Sequence, residues 1–451
     1  MSGKIKPLEI FGKIGRIWLY LFLFDCAATG SGRYFTIGPL TPRILLAVLI
    51  VLSAAVPFFA DIENQIRRPV NWIVLIFMFY MVFEVFRGQA FGNDQSVLIS
   101  DVKGFIYMLL IPSLPVLVKE QKHLRFAANV VIAGCFVQAA FCIVSNALFS
   151  GLAPGFYEAF VQEPWTANWG IIMDARYNTY RIFCKSSIYL IAACVLLLGR
   201  IVRAEKASAV CGWGFLFLLD AEAIIMTYTR SLYLATAVAF LLTLILCLFT
   251  APVKKVLLRT AVLLILLVAV VYGQELAFKQ GIIQYAFMRG MNFDLDAHVH
   301  VPHTWDRAGS SSGKVTETGD EMRAETVRDL MEIITEYPLI GKGLGATTEA
   351  RGGADEYFYL DMLARMGIVG LTLYMLPILL ALIRLIRRRK ALKSFPEPGF
   401  VAVGLAAFLV ATYFNPWMNA ALGIAWYALT VAAVWLLPKM KEGTENQCAE
   451  S

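Results

Sequence analysis

The feature that most constrains this chain is a series of apolar runs, each about 17–22 residues long, that recurs along its length. A helix of that length crosses the hydrocarbon core of a bilayer, because it rises about 1.5 Å per residue. Only 16% of the residues are charged and 59% are hydrophobic, whereas a soluble globular protein carries about 25% charged residues. We therefore expect an all-α polytopic membrane protein rather than a soluble one.

The apolar runs predict about twelve transmembrane helices. We place them at 16–29, 43–60, 70–86, 103–118, 126–148, 184–200, 210–228, 231–249, 257–274, 355–385, 398–414 and 419–437. With the N-terminus in the cytoplasm, every predicted cytoplasmic segment is basic, from KIKPLEIFGKIGR at the start to KMKEG near the end. This pattern follows the positive-inside rule and places both termini in the cytoplasm. The net charge of +7 follows from these short loops and requires no nucleic acid as partner.

The same topology puts three segments on the opposite, outer face: 149–183, the turn MTYTRS at 226–231, and a loop at 275–354. We expect a single membrane domain over 1–451, with the 275–354 loop forming a small subdomain between the ninth and tenth spans. That large outer loop is expected to contain short helices.

One stretch of the loop predicts an amphipathic helix that ends in a turn. Its apolar positions follow the spacing i, i+3, i+4, i+7, at Val327, Leu330, Met331 and Ile334. Pro338 and the glycines at 341, 343 and 345 predict the turn after it.

Four arginines stand out on the predicted outer face, which the positive-inside rule leaves poor in cations. Arg176 and Arg181 precede a span, Arg230 lies at the junction of two spans, and Arg323 lies on the apolar face of the loop helix. Arginines at span ends also occur simply because their long side chains reach the interface. A converging set, however, is suited to bidentate contact with phosphate oxygens. We predict a lipid-linked phosphate or diphosphate as the ligand.

Two acids, Asp355 and Glu356, stand at the start of the tenth predicted span. Acids at a helix N-terminus are stabilised by the helix dipole and need no other role. In a site that holds sugars, however, such a carboxylate accepts the proton of an attacking hydroxyl. The aromatic residues Trp165, Trp169 and Tyr357 are typical of a membrane interface and also offer faces on which sugar rings stack.

The segment HVHVPH contains His298, His300 and His303. Alternating histidines could face one metal ion, but no cysteine or carboxylate set accompanies them. We interpret His300 and His303 as surface or glycan-contacting residues, and we predict neither a metal site nor a cofactor.

Asp220 and Glu222 lie inside the seventh predicted span. Acids within a membrane span are candidates for an ion or proton path. They are the main sequence evidence for an alternative function, an ion-coupled transporter. They are also compatible with a role in a polar cavity or beside a neighbouring charge.

Taken in order, several motifs resemble those of the O-antigen ligase and O-antigen polymerase family, which are membrane glycosyltransferases of the GT-C type. MTYTRSLYLATAVAFL is similar to the family's Ser/Thr-Arg signature, which places Arg230 at the signature arginine. RAETVRDLMEIITEYPLIGKGLG resembles the outer-loop motif, with Arg323 before Pro338, and YRIFCKSSIYL resembles an earlier segment that contains Arg181. DEYFYLDMLARMGIVG is similar to the closing motif.

The closing motif departs from the family at one position. Where ligases carry a histidine at its start, this chain has Glu356, when the two are aligned on Leu360, Leu363 and Gly367. Ligases use that histidine to engage the lipid A-core acceptor, whereas polymerases vary here and can carry an acid. The departure favours a polymerase over a ligase.

The resemblance implies a donor glycan on undecaprenyl diphosphate and a second lipid-linked repeat unit as acceptor, with inverting transfer that needs no metal. It implies that the arginines hold the diphosphate and that Glu356 or Asp355 acts on the acceptor hydroxyl. It also implies a bacterial inner-membrane protein with a periplasmic active site, and a chain-length regulator and a flippase as partners. A ligase, a transporter and a non-catalytic component of an export complex remain as alternatives.

Overall fold

The computed structural model describes residues 7–30, 41–153, 155, 172–291, 314–348 and 357–438. Within them the chain is almost entirely helical. The helices are α1 (Pro7–Ala28), α2 (Pro42–Ala60), α3 (Ile62–Ile66), α4 (Pro69–Ala90), α5 (Gln95–Phe105), α6 (Leu110–Leu117), α7 (Gln121–Ala147), α8 (Ile188–Arg203), α9 (Ala207–Met226), α10 (Arg230–Thr250), α11 (Val253–Phe278), α12 (Ile282–Met291), α13 (Lys314–Glu336), α14 (Phe358–Arg387), α15 (Glu397–Ala411) and α16 (Ala421–Trp435). One hairpin, β1 (Ile172–Arg176) and β2 (Thr179–Phe183), interrupts the series.

Nine helical segments in the described part of the chain are long and apolar enough to cross a membrane. They are α2, α4, α5 continued through α6, α7, α8, α9, α10, α11 and α14. The prediction of an all-α polytopic membrane protein is confirmed. The other three predicted spans coincide with α1, α15 and α16, which are not among the nine. Since α15 and α16 have 15 residues each, they are shorter than a full bilayer crossing.

Burial differs sharply among the apolar helices. Of the apolar stretch in α8, 89% is buried within the bundle, and every residue of α16 up to Val434 is buried as well. In α11 only 22% of the corresponding stretch is buried, so most of its side chains face outward. The bundle is therefore organised around α8 and α16, with α6, α14 and α15 packed on α16 and α9, α10 and α15 packed on α8.

The segment 338–346, which we call the glycine loop, inserts between α4 and α14. The backbone of α14 is non-helical at Gly367, with φ 62° and ψ −170°, and the break exposes carbonyl groups to the loop. Lys342 N–H donates to Ala364 O over 2.8 Å and Gly343 N–H donates to Arg365 O over 2.9 Å. On the other side, Leu344 N–H donates to Glu84 O of α4 over 3.1 Å. The predicted turn after the loop helix is thus a bridge between two membrane helices.

Helix α13 confirms the amphipathic helix predicted in the large loop, but its buried face is narrower than predicted. Leu330 is buried, whereas Met331 is 44% exposed. Met331 therefore lies at the edge of the apolar face, outside its buried part.

The hairpin lies over the turn between α11 and α12. Its two turn residues, Tyr177 and Asn178, both have positive φ, which matches the twist of a tight antiparallel hairpin. The Asn178 amide donates to Phe278 O and Lys279 O, and Gly281 N–H donates to Tyr177 O over 2.9 Å. These contacts fix β2 beside the end of α9.

Candidate active site

The structure describes only part of the predicted site. The side chains of Arg181, Arg230 and Tyr357 are described, and for Arg176 in β1 and Arg323 in α13 the backbone alone is described. The remaining predicted site residues lie outside the described ranges: Trp165, Trp169, His300, His303, Asp355 and Glu356.

Arg181 and Arg230 are brought together at the turn between α9 and α10. The Arg181 side chain extends from β2, and its Nε donates to Thr227 O over 3.0 Å. Its Nη2 donates to Thr229 Oγ1 over 3.3 Å. Thr229 immediately precedes Arg230, which is the first residue of α10 and has an exposed side chain. The two guanidinium-bearing residues predicted from separate motifs therefore flank one turn.

Tyr228 at the centre of that turn adopts a left-handed backbone conformation, with φ 45°. The conformation is unfavourable for a residue other than glycine and needs support from its surroundings. Support comes from ring stacking on Tyr285 of α12, with centroids 4.1 Å apart, and from a 3.1 Å hydrogen bond between the Tyr228 and Thr179 hydroxyls. Burial is the main cause that raises the pKa of Tyr228, so its hydroxyl stays protonated. The turn that presents Arg230 is thus rigidly held.

The linker between α15 and α16 forms the other side of the turn. Asn415 Nδ2 donates to the hydroxyl of Ser231 over 3.0 Å, and Trp417 Nε1 donates to Lys185 O over 3.0 Å. Phe183 lies between Arg181 and Trp417 and contacts both. The exposed Arg230 side chain thus lies at the N-terminus of α10, which itself favours an anion, and the α15–α16 linker contacts the next residue, Ser231.

Beyond this turn lies an apolar cavity of about 320 Å³ between α8, α9, α10 and α11. On α10 its wall includes Tyr233, Ala237 and Phe240, which follow Arg230 at i+3, i+7 and i+10. Arg230 consequently stands on the same face of the helix, one turn before the cavity begins. The Arg230 guanidinium and the apolar cavity are thus aligned along α10.

The buried acids of α9 do not line this cavity. Asp220 and Glu222 are both buried, and neither is among the lining residues. Both oxygens of Asp220 lack a hydrogen-bond partner among the described residues, and so does Oε1 of Glu222. These unpaired oxygens give no described hydrogen bond that would continue an ion path from either acid.

Sequence reasoning missed an ion pair beside the glycine loop. Arg365 of α14 and Asp101 of α5 are buried and lie 2.8 Å apart. Asp101 also accepts the Gly345 N–H over 2.9 Å, and Arg365 Nε donates to Ala346 O over 3.0 Å. Charged residues inside apolar segments are rare and almost always paired. Arg365 within YLDMLARMGIVG is therefore the sequence signal that indicates a buried ion pair.

The start of α14 carries a further acid that sequence analysis did not single out. Asp361 is buried, and its Oδ2 accepts the backbone N–H of Tyr357 over 3.1 Å. This contact fixes Tyr357, the residue that follows Asp355 and Glu356 in the chain. Within the described residues no group of three His, Cys, Asp or Glu could hold a metal ion.

Comparison with known proteins identifies the part of the chain that contains this site. Residues 213–375 match the family model described as O-antigen ligase. The match runs from α9 into α14 and includes Arg230, the α9–α11 walls of the cavity, the glycine loop and Arg365. No curated protein matches the chain significantly. The family match confirms the resemblance to the O-antigen ligase and O-antigen polymerase family.

Proposed function

We propose that this membrane protein is a polymerase of O-antigen or another surface polysaccharide. It transfers a glycan from polyprenyl diphosphate to the non-reducing-end hydroxyl of a second lipid-linked repeat unit. The family match supports O-antigen-related glycan transfer in general. The observation that carries the lipid-linked donor is the alignment of Arg230 with the apolar cavity along α10.

This alignment suits a ligand with an anionic head and a long apolar tail. The cavity wall on α10 extends from Tyr233 to Thr243, which corresponds to about 15 Å of helix. Its walls are almost wholly apolar, so a charged sugar is a poor occupant and a prenyl chain is a good one. A diphosphate at the mouth of the cavity would meet the Arg230 and Arg181 guanidinium groups.

The proposed reaction needs three contributions from the chain. Arg230, Arg181 and Arg323, with Arg176 nearby in sequence, hold the diphosphate and stabilise the charge that grows as the bond from the anomeric carbon to the phosphate oxygen breaks. Glu356, or Asp355, accepts the proton of the acceptor hydroxyl as its oxygen bonds to the anomeric carbon. Attack from the face opposite the leaving diphosphate inverts the anomeric centre. Trp165, Trp169, Tyr357, His300 and His303 are proposed to contact the glycan.

We place this chemistry on the periplasmic face of a bacterial inner membrane, with both termini in the cytoplasm. The distribution of basic loops supports that orientation. A chain-length regulator and a flippase are proposed partners, since a polymerase needs both a supply of lipid-linked units and a limit to growth.

A ligase that uses lipid A-core as acceptor is the second candidate, and the description of the matching family favours it. Glu356 in place of the ligase histidine favours the polymerase. The two differ in acceptor alone, so the products distinguish them.

The test is a lipopolysaccharide gel from a strain that lacks the gene and re-expresses the parent protein, Arg230→Ala, Arg323→Ala or Arg328→Ala. Arg328 is exposed on the same helix as Arg323 and serves as the matched control. We expect a single repeat unit on the core without the gene, and a full ladder with the parent and Arg328→Ala only. Core without any repeat would indicate a ligase, and a full ladder from both Arg230→Ala and Arg323→Ala would exclude the phosphate-binding role.

A further inference from the structure

A second arginine cluster lies at the opposite ends of the helices that hold the glycine loop. It surrounds an open cavity of about 520 Å³ between the N-terminus of α4, the C-terminal part of α14 and the end of α16. Five guanidinium groups line this cavity, which we call the basic cavity: Arg67, Arg68, Arg384, Arg387 and Arg388. Its volume is in the range of small-molecule sites, about 300–1,000 Å³.

Two of these arginines are held in place by the C-terminus of α16. Arg384 Nε donates to Val434 O over 3.2 Å and Nη2 donates to Trp435 O over 3.2 Å, while its guanidinium lies 5.0 Å from the Trp435 ring centroid. Arg388 Nη1 donates to Leu437 O over 3.2 Å. Each guanidinium carries five N–H donors, so both retain donors for a ligand.

The charge of the cluster is not balanced within the described residues. None of the five arginines forms an ion pair with a described carboxylate. Nη1 of Arg68 is buried and has no hydrogen-bond acceptor in the described chain. Burial lowers the pKa of Arg68, and the nearby Asp61 carboxylate offsets this only in part. Five cations that line one cavity without a described carboxylate partner repel one another, so an anion in the cavity would be stabilising.

We propose that the basic cavity binds a phosphate group, supplied by the headgroup of an anionic lipid or free in solution. Guanidinium groups match phosphate oxygens in geometry and charge. Pro69, Leu380 and Ile383 complete the lining, and Leu379 and Ile386 are exposed beside it, which gives acyl chains an apolar path. The site is independent of the proposed glycan transfer and lies at the other end of α4 and α14.

The test uses the purified full-length protein in detergent, titrated separately with phosphatidylglycerol, phosphatidylcholine and inorganic phosphate. Binding is followed by the thermal unfolding midpoint and by retained lipid in native mass spectrometry. Arg67→Gln/Arg387→Gln removes two exposed cavity arginines. Arg389→Gln/Lys393→Gln removes the same charge from exposed residues of the following turn that do not line the cavity. Arg68→Gln tests the buried donor.

We expect phosphatidylglycerol to bind the parent and the control pair equally, and to bind Arg67→Gln/Arg387→Gln at least about tenfold more weakly. Arg68→Gln is expected to weaken binding in the same direction. If inorganic phosphate bound saturably and were weakened by the same cavity variants, the bound phosphate group would come from a free anion. The proposal would be overturned if phosphatidylglycerol bound both double variants equally weakly. It would also be overturned if neither phosphatidylglycerol nor inorganic phosphate bound the parent more tightly than phosphatidylcholine does. A parent-like midpoint without lipid shows that each variant is folded.

Discussion

At the scale of single residues, Arg181 and Arg230 differ in how the fold uses them, although both are proposed to hold the same diphosphate. Arg181 donates to Thr227 and Thr229 and so also stabilises the turn. Arg230 is exposed at the start of α10. Because they share this ligand, the two truncations should affect activity alike.

We therefore expect Arg181→Ala and Arg230→Ala to abolish most glycan transfer. Arg181→Ala should also lower the free energy of unfolding, by about 1–3 kcal/mol, because it removes the guanidinium donors to Thr227 O and Thr229 Oγ1. Activity is measured by the ladder on a lipopolysaccharide gel and stability by thermal unfolding of the purified protein. If Arg181→Ala kept a parent-like unfolding midpoint and lost transfer, Arg181 would act on substrate alone.

Asp220 gives a second prediction at this scale, because it is buried without a hydrogen-bond partner in the described chain. Asp220→Asn removes the possibility of an unpaired buried charge while it preserves the shape of the side chain. We expect parent-like glycan transfer and an unfolding midpoint that is unchanged or higher. Loss of solute uptake with normal glycan profiles would instead support the transporter alternative and oppose the proposed function.

At the scale of elements, the glycine loop depends on glycine for two separate reasons. Gly343 has φ 92°, and a Cβ there would collide with the backbone of Arg87 and Gly88 in α4. Gly92 has a similar φ of 70° but open space around its Cβ position. Comparing substitutions at Gly343 and Gly92 therefore separates the free-energy cost of a positive φ from the cost of the Cβ collision.

Gly343→Ala should therefore displace the loop and destabilise the protein by more than the roughly 1 kcal/mol expected for Gly92→Ala. The displacement should also reduce glycan transfer, since the loop connects α13 to α14. Limited proteolysis within 337–348 and the unfolding midpoint report on the two effects. If Gly343→Ala and Gly92→Ala had the same unfolding midpoint and the same proteolysis pattern, the glycine loop would move away from α4 at little cost in free energy.

Elements were predictable from sequence to the extent that their signals are local. The nine long apolar helices follow from run length, and α13 follows from the spacing of Leu330 and its neighbours. The β1–β2 hairpin was not predicted, because its two-residue turn, Tyr177 and Asn178, lacks the glycine that signals such a turn in sequence. The insertion of the glycine loop between α4 and α14 was not predicted either, because it depends on contacts with Glu84, more than 250 residues earlier in the chain.

At the scale of the whole molecule, hydropathy does not distinguish a buried helix from a lipid-facing one. Lipid tails and protein cores are equally apolar, so run length and hydropathy mark both α8 and α11 as spans, although the buried share of their apolar stretches differs fourfold. Two residues proposed from separate motifs, Arg181 and Arg230, flank one turn. The cavity beyond that turn could not be proposed from motifs, because four helices with no local signal for contact enclose it.

That cavity gives the last prediction, which concerns the length of the donor lipid. Ala237→Phe adds a ring to the α10 wall of the cavity, whereas Leu241→Phe adds one to the exposed face of the same helix. If the cavity holds the prenyl chain, Ala237→Phe should raise the KM for a long-chain prenyl-diphosphate donor by about tenfold, since each lost CH₂ contact is worth about 0.8 kcal/mol. A short-chain donor that ends before Ala237 should be affected much less. Leu241→Phe should leave both donors parent-like. An equal rise in KM for long and short donors would place the tail outside the bundle, and the apolar cavity would then have no part in substrate binding even if Arg230 still holds the diphosphate.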